Sequence, residues 1–215
     1  MKCNSDKTLI KEFHQRALSF INCILLTSGI LLIHGKSMIN AFSAGFDVSQ
    51  KSSLENMFNK PFDESSNWLL IQLFGYMVLD TFWCWFNDYN SLLNFLHHFI
   101  TIGYCWSMLT VNDTSLEAMI GLFLSEFSNL FLNWYWFACF FKWKLETFSG
   151  LAFSASFFLS RVIGATWLVF WLFQIQGRLP MRIVAVTMCC VNAGFLFYIV
   201  KNLVNHFTGK GAKLE

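Results

Sequence analysis

The sequence predicts an all-α, polytopic integral membrane protein, about six transmembrane helices packed as one bundle. Three observations carry that prediction. Apolar residues make up 55% of the 215 positions and charged residues 13%, where an ordinary soluble domain is about 25% charged. The mean hydropathy is +0.48. The apolar residues are also gathered into runs of the length, roughly 20 residues, that crosses a bilayer core as helix.

The runs cover residues 17–33, 68–87, 94–111, 116–141, 150–174 and 181–202. The first is short and carries Asn22, Thr27 and Ser28. An arrangement of five spans plus one interfacial or signal-anchor helix therefore stays open. Ahead of it, residues 1–16 mix Lys2, Asp6, Lys7, Lys11, Glu12, His14 and Arg16 with no small-residue cleavage site downstream. Neither a cleavable signal nor an Arg-rich transit peptide is expected from such a segment. Residues 34–67 form the one long polar interval, rich in Ser, Asn and Lys. Inside it, 38–42 and 54–58 read as short amphipathic pieces lying on the membrane surface, and Pro61 opens the approach to the second span.

The other connections are brief, which makes consecutive helices antiparallel neighbours. Pro180 stands one residue before the last span, a position where helices start, and residues 203–215 form a polar tail. The sequon Asn112-Asp113-Thr114 sits in a loop that hugs the membrane and is expected to remain unglycosylated.

With six spans both termini share a face, here called the inner face. It collects Lys2, Lys7, Lys11, Arg16, Lys142, Lys144, Lys201, Lys210 and Lys213, against Lys36, Lys51, Lys60, Arg178 and Arg182 outside. That asymmetry orients the termini to the cytoplasmic or matrix side. A net charge of +2 gives no reason to expect a nucleic-acid partner. The cysteines at 3, 23, 84, 105, 139, 189 and 190 lie mostly inside spans without CxxC spacing. They read as small apolar fillers, not as a disulfide framework or zinc site.

Phenylalanine (26) and tryptophan (9) are abundant. Trp68, Trp143 and Trp171 suit interfacial anchoring. The clusters at 82–86 and 134–137 encircle their helices; they read as lipid-facing and interhelical bulk, or as the wall of an acyl-chain pocket or subunit interface.

Against this background the polar residues inside the spans stand out, because an ionisable group at membrane depth is retained only with partners or a task. His97 and His98 lie near the inner end of the third span, roughly 5 Å deep, and Asp80 in the second lies roughly 10 Å deep. The short turn between these spans lets Asp80 reach the histidines. Glu126, Arg161 and Asn192 fall near the middle of the last three spans and make a deeper layer. Glu126, Asn129 and Asn133 recur at i, i+3 and i+7 and share a helix face, with Ser128 off that stripe. Arg161 is the one cation at that depth and the expected counter-charge for Glu126.

A His–Asp pair suits general-base chemistry and equally a static hydrogen bond. Adjacent histidines point about 100° apart. No third histidine is placed to complete a metal site, so no metal is expected. Nucleophile elbow, P-loop and Gly-rich phosphate cradle are all missing from the sequence.

At these residues the chain resembles the TLC-domain family, the membrane domain shared by translocating-chain-associating proteins, ceramide synthases and a ceroid lipofuscinosis protein. The matching features are Gly75-Tyr76 before Asp80, then His97-His98, then Glu126-Phe127-Ser128-Asn129 with Asn133, then Arg161 and Asn192. They run in order across residues 68–202. The resemblance implies a barrel-like ring of helices around a lipid-accessible cavity, and residence in the endoplasmic reticulum, with the mitochondrial inner membrane as the alternative. It also implies acyl transfer from acyl-CoA in the ceramide-synthase branch, where the histidine pair acts.

This chain keeps His97-His98-Phe99-Ile100-Thr101 and then departs. Cys105-Trp106-Ser107 and the short 112–114 loop stand where that branch has Ser-Tyr, Arg and paired aspartates, and only Lys142 and Lys144 are at hand for CoA phosphates. The resemblance therefore points to the non-synthase branch, associated with membrane-lipid homeostasis. The expected function is non-catalytic lipid binding or organisation, in a more specific form as an accessory subunit of a larger membrane assembly such as a respiratory complex. The expected partners are membrane lipids and other membrane subunits. No cofactor is expected; acyl-CoA enters only with the alternative, an N-acyltransferase using His97, His98 and Asp80.

Overall fold

A computed structural model describes residues 2–58, 64–87, 92–111, 116–175 and 179–207, and every element among them is helical. They are α1 (Lys2–Gly45), a 3-10 turn (Val48–Gln50), α2 (Lys51–Phe58), α3 (Glu64–Phe86), α4 (Leu92–Val111) and α5 (Leu116–Phe140). A rod follows, made of α6 (Glu146–Phe157), a π-helical segment (Phe158–Gly164) and α7 (Ala165–Gln174), and then α8 (Leu179–Phe207). Four stretches are long and apolar enough to cross a membrane by length and composition: Leu9–Gly45, Glu64–Phe86, Glu146–Gln174 and Arg182–Lys201. The 20 residues of α4 and 25 of α5 also have the length, but these two helices carry the histidines and the Glu126 stripe. Pro61, the 112–114 sequon and residues 208–215 lie outside the described residues.

The first helix is far longer than its apolar run. At 44 residues it would measure about 65 Å, and it continues without a break through the 38–42 stretch read as a separate surface piece. No proline or glycine pair interrupts it, and Met38, Ala41 and Ala44 recur on one buried face. In α2, Leu54 and Phe58 are likewise buried, so this region packs on the bundle as well as covering it. His34 is tied to Ser66 of α3 at 2.8 Å.

The end of α1 is fixed by indoles. Trp171 Nε1 donates to the Gly45 carbonyl at 3.0 Å and Trp167 Nε1 at 3.4 Å, satisfying a carbonyl that the helix itself leaves without a donor. Trp171 is consequently 1% exposed. It is an internal cap and not an interfacial anchor, whereas Trp68 and Trp143 do remain on the surface.

Around the molecule the helices close into a ring in the order α1, α3, α4, α8, the α6–α7 rod, α5 and back to α1. Consecutive helices pack as expected for α3–α4, α5–α6 and α7–α8. The expectation fails for α4 and α5, whose main neighbours are α3 and α8 for one, α1 and α6 for the other. The N-terminal helix closes the ring between α3 and α5, so α4 and α5 face each other across the interior.

The α5–α6 turn is a Schellman cap. Trp143 N–H bonds Ala138 O at 2.8 Å and Lys142 N–H bonds Cys139 O at 3.1 Å, with Lys142 left-handed at φ 52°.

The interior divides into two halves. Fully buried Leu26, Ile30, Leu70, Leu73, Met119 and Ile120, with Trp171, fill the half formed by the C-terminal part of α1, the N-terminal parts of α3 and α5, and α7. The other half of the ring is not filled.

Candidate functional site

That other half encloses a cavity of about 350 Å³. All six walls contribute: Gln15 and Ser19 from α1, Tyr76, Asp80 and Cys84 from α3, His97 and His98 from α4, Glu126, Asn129 and Asn133 from α5, Phe157 and Arg161 from the rod, and Phe195 and Tyr198 from α8. Of the eight residues singled out from sequence, Asp80, His97, His98, Glu126, Asn129, Asn133 and Arg161 line this one cavity. Asn192 reaches it only through Arg161.

The histidines diverge as neighbours on a helix must. His98 turns to α3, with Nε2 3.4 Å from Asp80 Oδ2 and Nδ1 3.1 Å from Thr81 Oγ1. The Thr81 hydroxyl itself donates to Met77 O at 2.6 Å. On the α1 side, the Gln15 amide bonds Asp80 Oδ1 at 2.9 Å and Cys84 Sγ at 3.5 Å. His97 turns to α8, where its ring stands edge-on to Phe195 at 6.1 Å, and its Nδ1 has no hydrogen-bond partner.

Deeper, Arg161 projects from the π-helical segment and uses its whole fork. Nε donates to Ser128 Oγ at 2.7 Å, Nη1 to Asn192 Oδ1 at 3.2 Å, and Nη2 to Ser125 O at 2.8 Å and Asn129 Oδ1 at 3.0 Å. The guanidinium also lies over the Phe157 ring at 5.6 Å.

The direct Glu126–Arg161 pair expected from sequence does not form. Asn129 stands between them, its oxygen on Arg161 and its Nδ2 3.5 Å from Glu126 Oε1. The second carboxylate oxygen takes the Cys23 thiol at 3.0 Å. The planar guanidinium is filled by neutral acceptors on two helices, α5 and α8, and the Asn129 amide relays between the charges. Asn133 Nδ2 binds Ser19 Oγ at 3.2 Å, leaving its Oδ1 without a partner.

Beyond Arg161 lies a second, smaller cavity of about 90 Å³, lined by apolar side chains including Leu122, Leu168, Leu172 and Met188. Arg161 lines both, so the guanidinium stands at the boundary between a polar chamber and an apolar one.

The profile of the TLC domain matches residues 12–206. The chain belongs to the TLC-domain family. The match begins inside α1, well before the 68–202 stretch that carries the resemblance by motif, in keeping with α1 as a structural wall of the ring. No curated protein and no solved structure matches the chain.

Several residues of this TLC-domain site were not singled out by motif. Gln15, Ser19 and Cys23 follow at i, i+4 and i+8, a polar stripe on one face of α1 that helical spacing alone could have shown. Cys84 stands one turn from Asp80, also at i+4. Ser128, which belongs to the motif but lies off the Glu126 stripe, is fully buried and receives Arg161 from the side.

Proposed function

We propose that this TLC-domain protein is a non-catalytic lipid-binding or lipid-organising protein, which takes the polar headgroup of a lipid into the larger cavity. One observation carries the reading. A chamber of about 350 Å³, within the size range of small-molecule sites, is walled by residues that carry unpaired donors and acceptors at membrane depth. Arg16, His97 and Asn133 all line it, and Arg16 Nε, His97 Nδ1 and Asn133 Oδ1 have no partner. A buried polar atom without a partner costs roughly 1–3 kcal/mol, which a headgroup carrying both donors and acceptors would offset. The acyl chain would leave along the apolar side, past Arg161.

The non-catalytic form is supported by the departure from the synthase pattern after Thr101. The acyl-CoA-dependent N-acyltransferase reading keeps one observation in its favour, the His98–Asp80 contact facing the chamber. Docking on other membrane proteins as an accessory subunit, and an endoplasmic-reticulum location with cytoplasmic termini, complete the proposal.

Native purification in mild detergent, followed by mass spectrometry of retained lipids and proteins, tests it. A lipid class enriched over the bulk membrane and lost in Asn133→Leu is expected. Bulk lipid composition on the wild type would overturn lipid binding. Acyl-CoA turnover abolished by replacing both histidines with Ala would overturn the non-catalytic form.

A further inference from the structure

We propose that Asp80, Cys84 and His98 form a divalent-metal site, suited in donor set and size to Zn2+. One oxygen, one sulfur and one nitrogen from these side chains lie within 4.8 Å of one another. They come from two helices held rigidly together: Asp80 and Cys84 one turn apart on α3, His98 facing them from α4.

The hydrogen bonds around the cluster say what belongs between them. The Thr81 hydroxyl has a single proton, and Met77 O lies 2.6 Å away to receive it. Its oxygen therefore meets His98 Nδ1, at 3.1 Å, as an acceptor, and Nδ1 carries the hydrogen. In a neutral imidazole that leaves Nε2 with a lone pair, aimed at the Asp80 carboxylate 3.4 Å away. Two lone pairs facing each other repel unless a cation sits between them.

Metal-binding histidines are oriented by donating the far N–H to an acceptor, usually a carboxylate, carbonyl or water; here the Thr81 hydroxyl takes that place. The spacing agrees. Tetrahedral bonds of about 2.0–2.1 Å to nitrogen and oxygen place those atoms about 3.3 Å apart, against 3.4 Å between Nε2 and Oδ2.

Charge does not stand against a dication here. Zn2+ with a carboxylate, a thiolate and a neutral imidazole is neutral as a unit, which limits the penalty of charge at membrane depth. The Cys84 proton is released to solvent as the metal binds, and no electron is transferred. Gln15, bonded to Asp80 Oδ1 and Cys84 Sγ, orients both donors. A fourth coordination position faces the chamber, where water or a headgroup oxygen would complete the tetrahedron. This inference stands apart from the lipid reading, since metal binding is measured without lipid.

The test uses the full-length protein purified in mild detergent without chelator. Elemental analysis is expected to find about one zinc per chain, and Co2+ added to the metal-free protein is expected to give a thiolate-to-cobalt charge-transfer band. Cys84→Ser should abolish the band and Cys190→Ser, at an exposed thiol, should leave it. Thr81→Val, which removes only the hydroxyl orienting His98, should weaken Co2+ binding about 10–100-fold. Folded wild-type protein with neither bound zinc nor a cobalt band would overturn the proposal. A band that survives Cys84→Ser, or is lost with Cys190→Ser, would also overturn it. If Cys84→Ser does not fold, Thr81→Val and the wild-type spectrum decide the matter.

Discussion

Replacing Arg161 with Met is the most direct probe of the ring's interior. The substitution keeps the unbranched stem and removes a guanidinium that makes four hydrogen bonds, to Ser128, Asn192, Ser125 and Asn129. Polar contacts inside membrane proteins average about 0.6 kcal/mol each, which sets a floor near 2 kcal/mol for the set. The ceiling follows from what is left behind. The acceptors remain buried among α5, α8 and the rod, and Glu126 loses its relayed counter-charge, a situation worth about 3–5 kcal/mol where a buried pair is broken. A loss of about 2–5 kcal/mol is therefore expected, a large share of a typical total of 5–15 kcal/mol.

Reversible unfolding in mixed anionic and non-ionic micelles, followed by tryptophan fluorescence, would measure it. Arg161→Lys should fall between wild type and Met, because a point-like ammonium cannot meet acceptors arranged around a planar fork. A loss below about 1 kcal/mol for Arg161→Met would refute the reasoning. It would mean that the four acceptors find other partners or water.

Three further outcomes follow from the geometry. Gly45→Ala drives a Cβ into the Trp167 ring and should destabilise by about 1–3 kcal/mol, while Gly35→Ala in the same helix meets nothing within 4 Å and should stabilise by about 0.5–1 kcal/mol; thermal unfolding of the pair checks both signs. Lys142→Gly relieves a left-handed residue at φ 52° and should raise stability by about 1 kcal/mol; no gain would argue against the Schellman geometry. A double-mutant cycle of Glu126→Gln with Asn129→Leu should show coupling of about 0.5–3 kcal/mol, since the amide joins Glu126 to Arg161; additive effects would remove the relay.

Much of this arrangement was legible in the sequence because it rests on periodicity and depth. Helical content and the shared face of Glu126, Asn129 and Asn133 follow from spacing along single helices, and the approach of Asp80 to the histidines from depth and one short turn. Two things could not be read that way. Ring closure depends on α1 choosing α5 as its main neighbour, a contact between residues more than a hundred apart, such as Cys23 with Glu126. The polar layers merge into one chamber only after that closure. A side chain's partner at equal depth is also ambiguous from charge alone. Arg161 and Glu126 were natural partners by sign, but two amides, a serine hydroxyl and a backbone carbonyl match a planar fork better than a single carboxylate does. Trp171 was misread for a similar reason: its composition suits an interface, and only the end of α1, itself hidden by an apolar run that continues past the expected boundary, reveals an acceptor for its N–H.

The π-helical segment explains how one arginine comes to divide the interior. In an α-helix each residue advances 100° around the axis, and a π-turn inserts a residue, shifting all that follows. Ala165 N–H reaches back to Ser160 O, a five-residue step. Ser160, Arg161 and Gly164 are all buried within this segment, and Gly164 leaves room for Leu124, whose methyl would stand 2.7 Å from a Cβ there. Residues before the insertion, Phe153 and Phe157, face the polar chamber, while Leu168 and Leu172 after it face the apolar one. The shift of register lets one continuous rod wall two chemically different cavities, and it puts the arginine at their junction. Such π-turns are costly in hydrogen-bond geometry and are concentrated at functional sites. If the chamber takes a headgroup, Arg161 is where headgroup meets chain, and removing it should blur the boundary as well as weaken the fold.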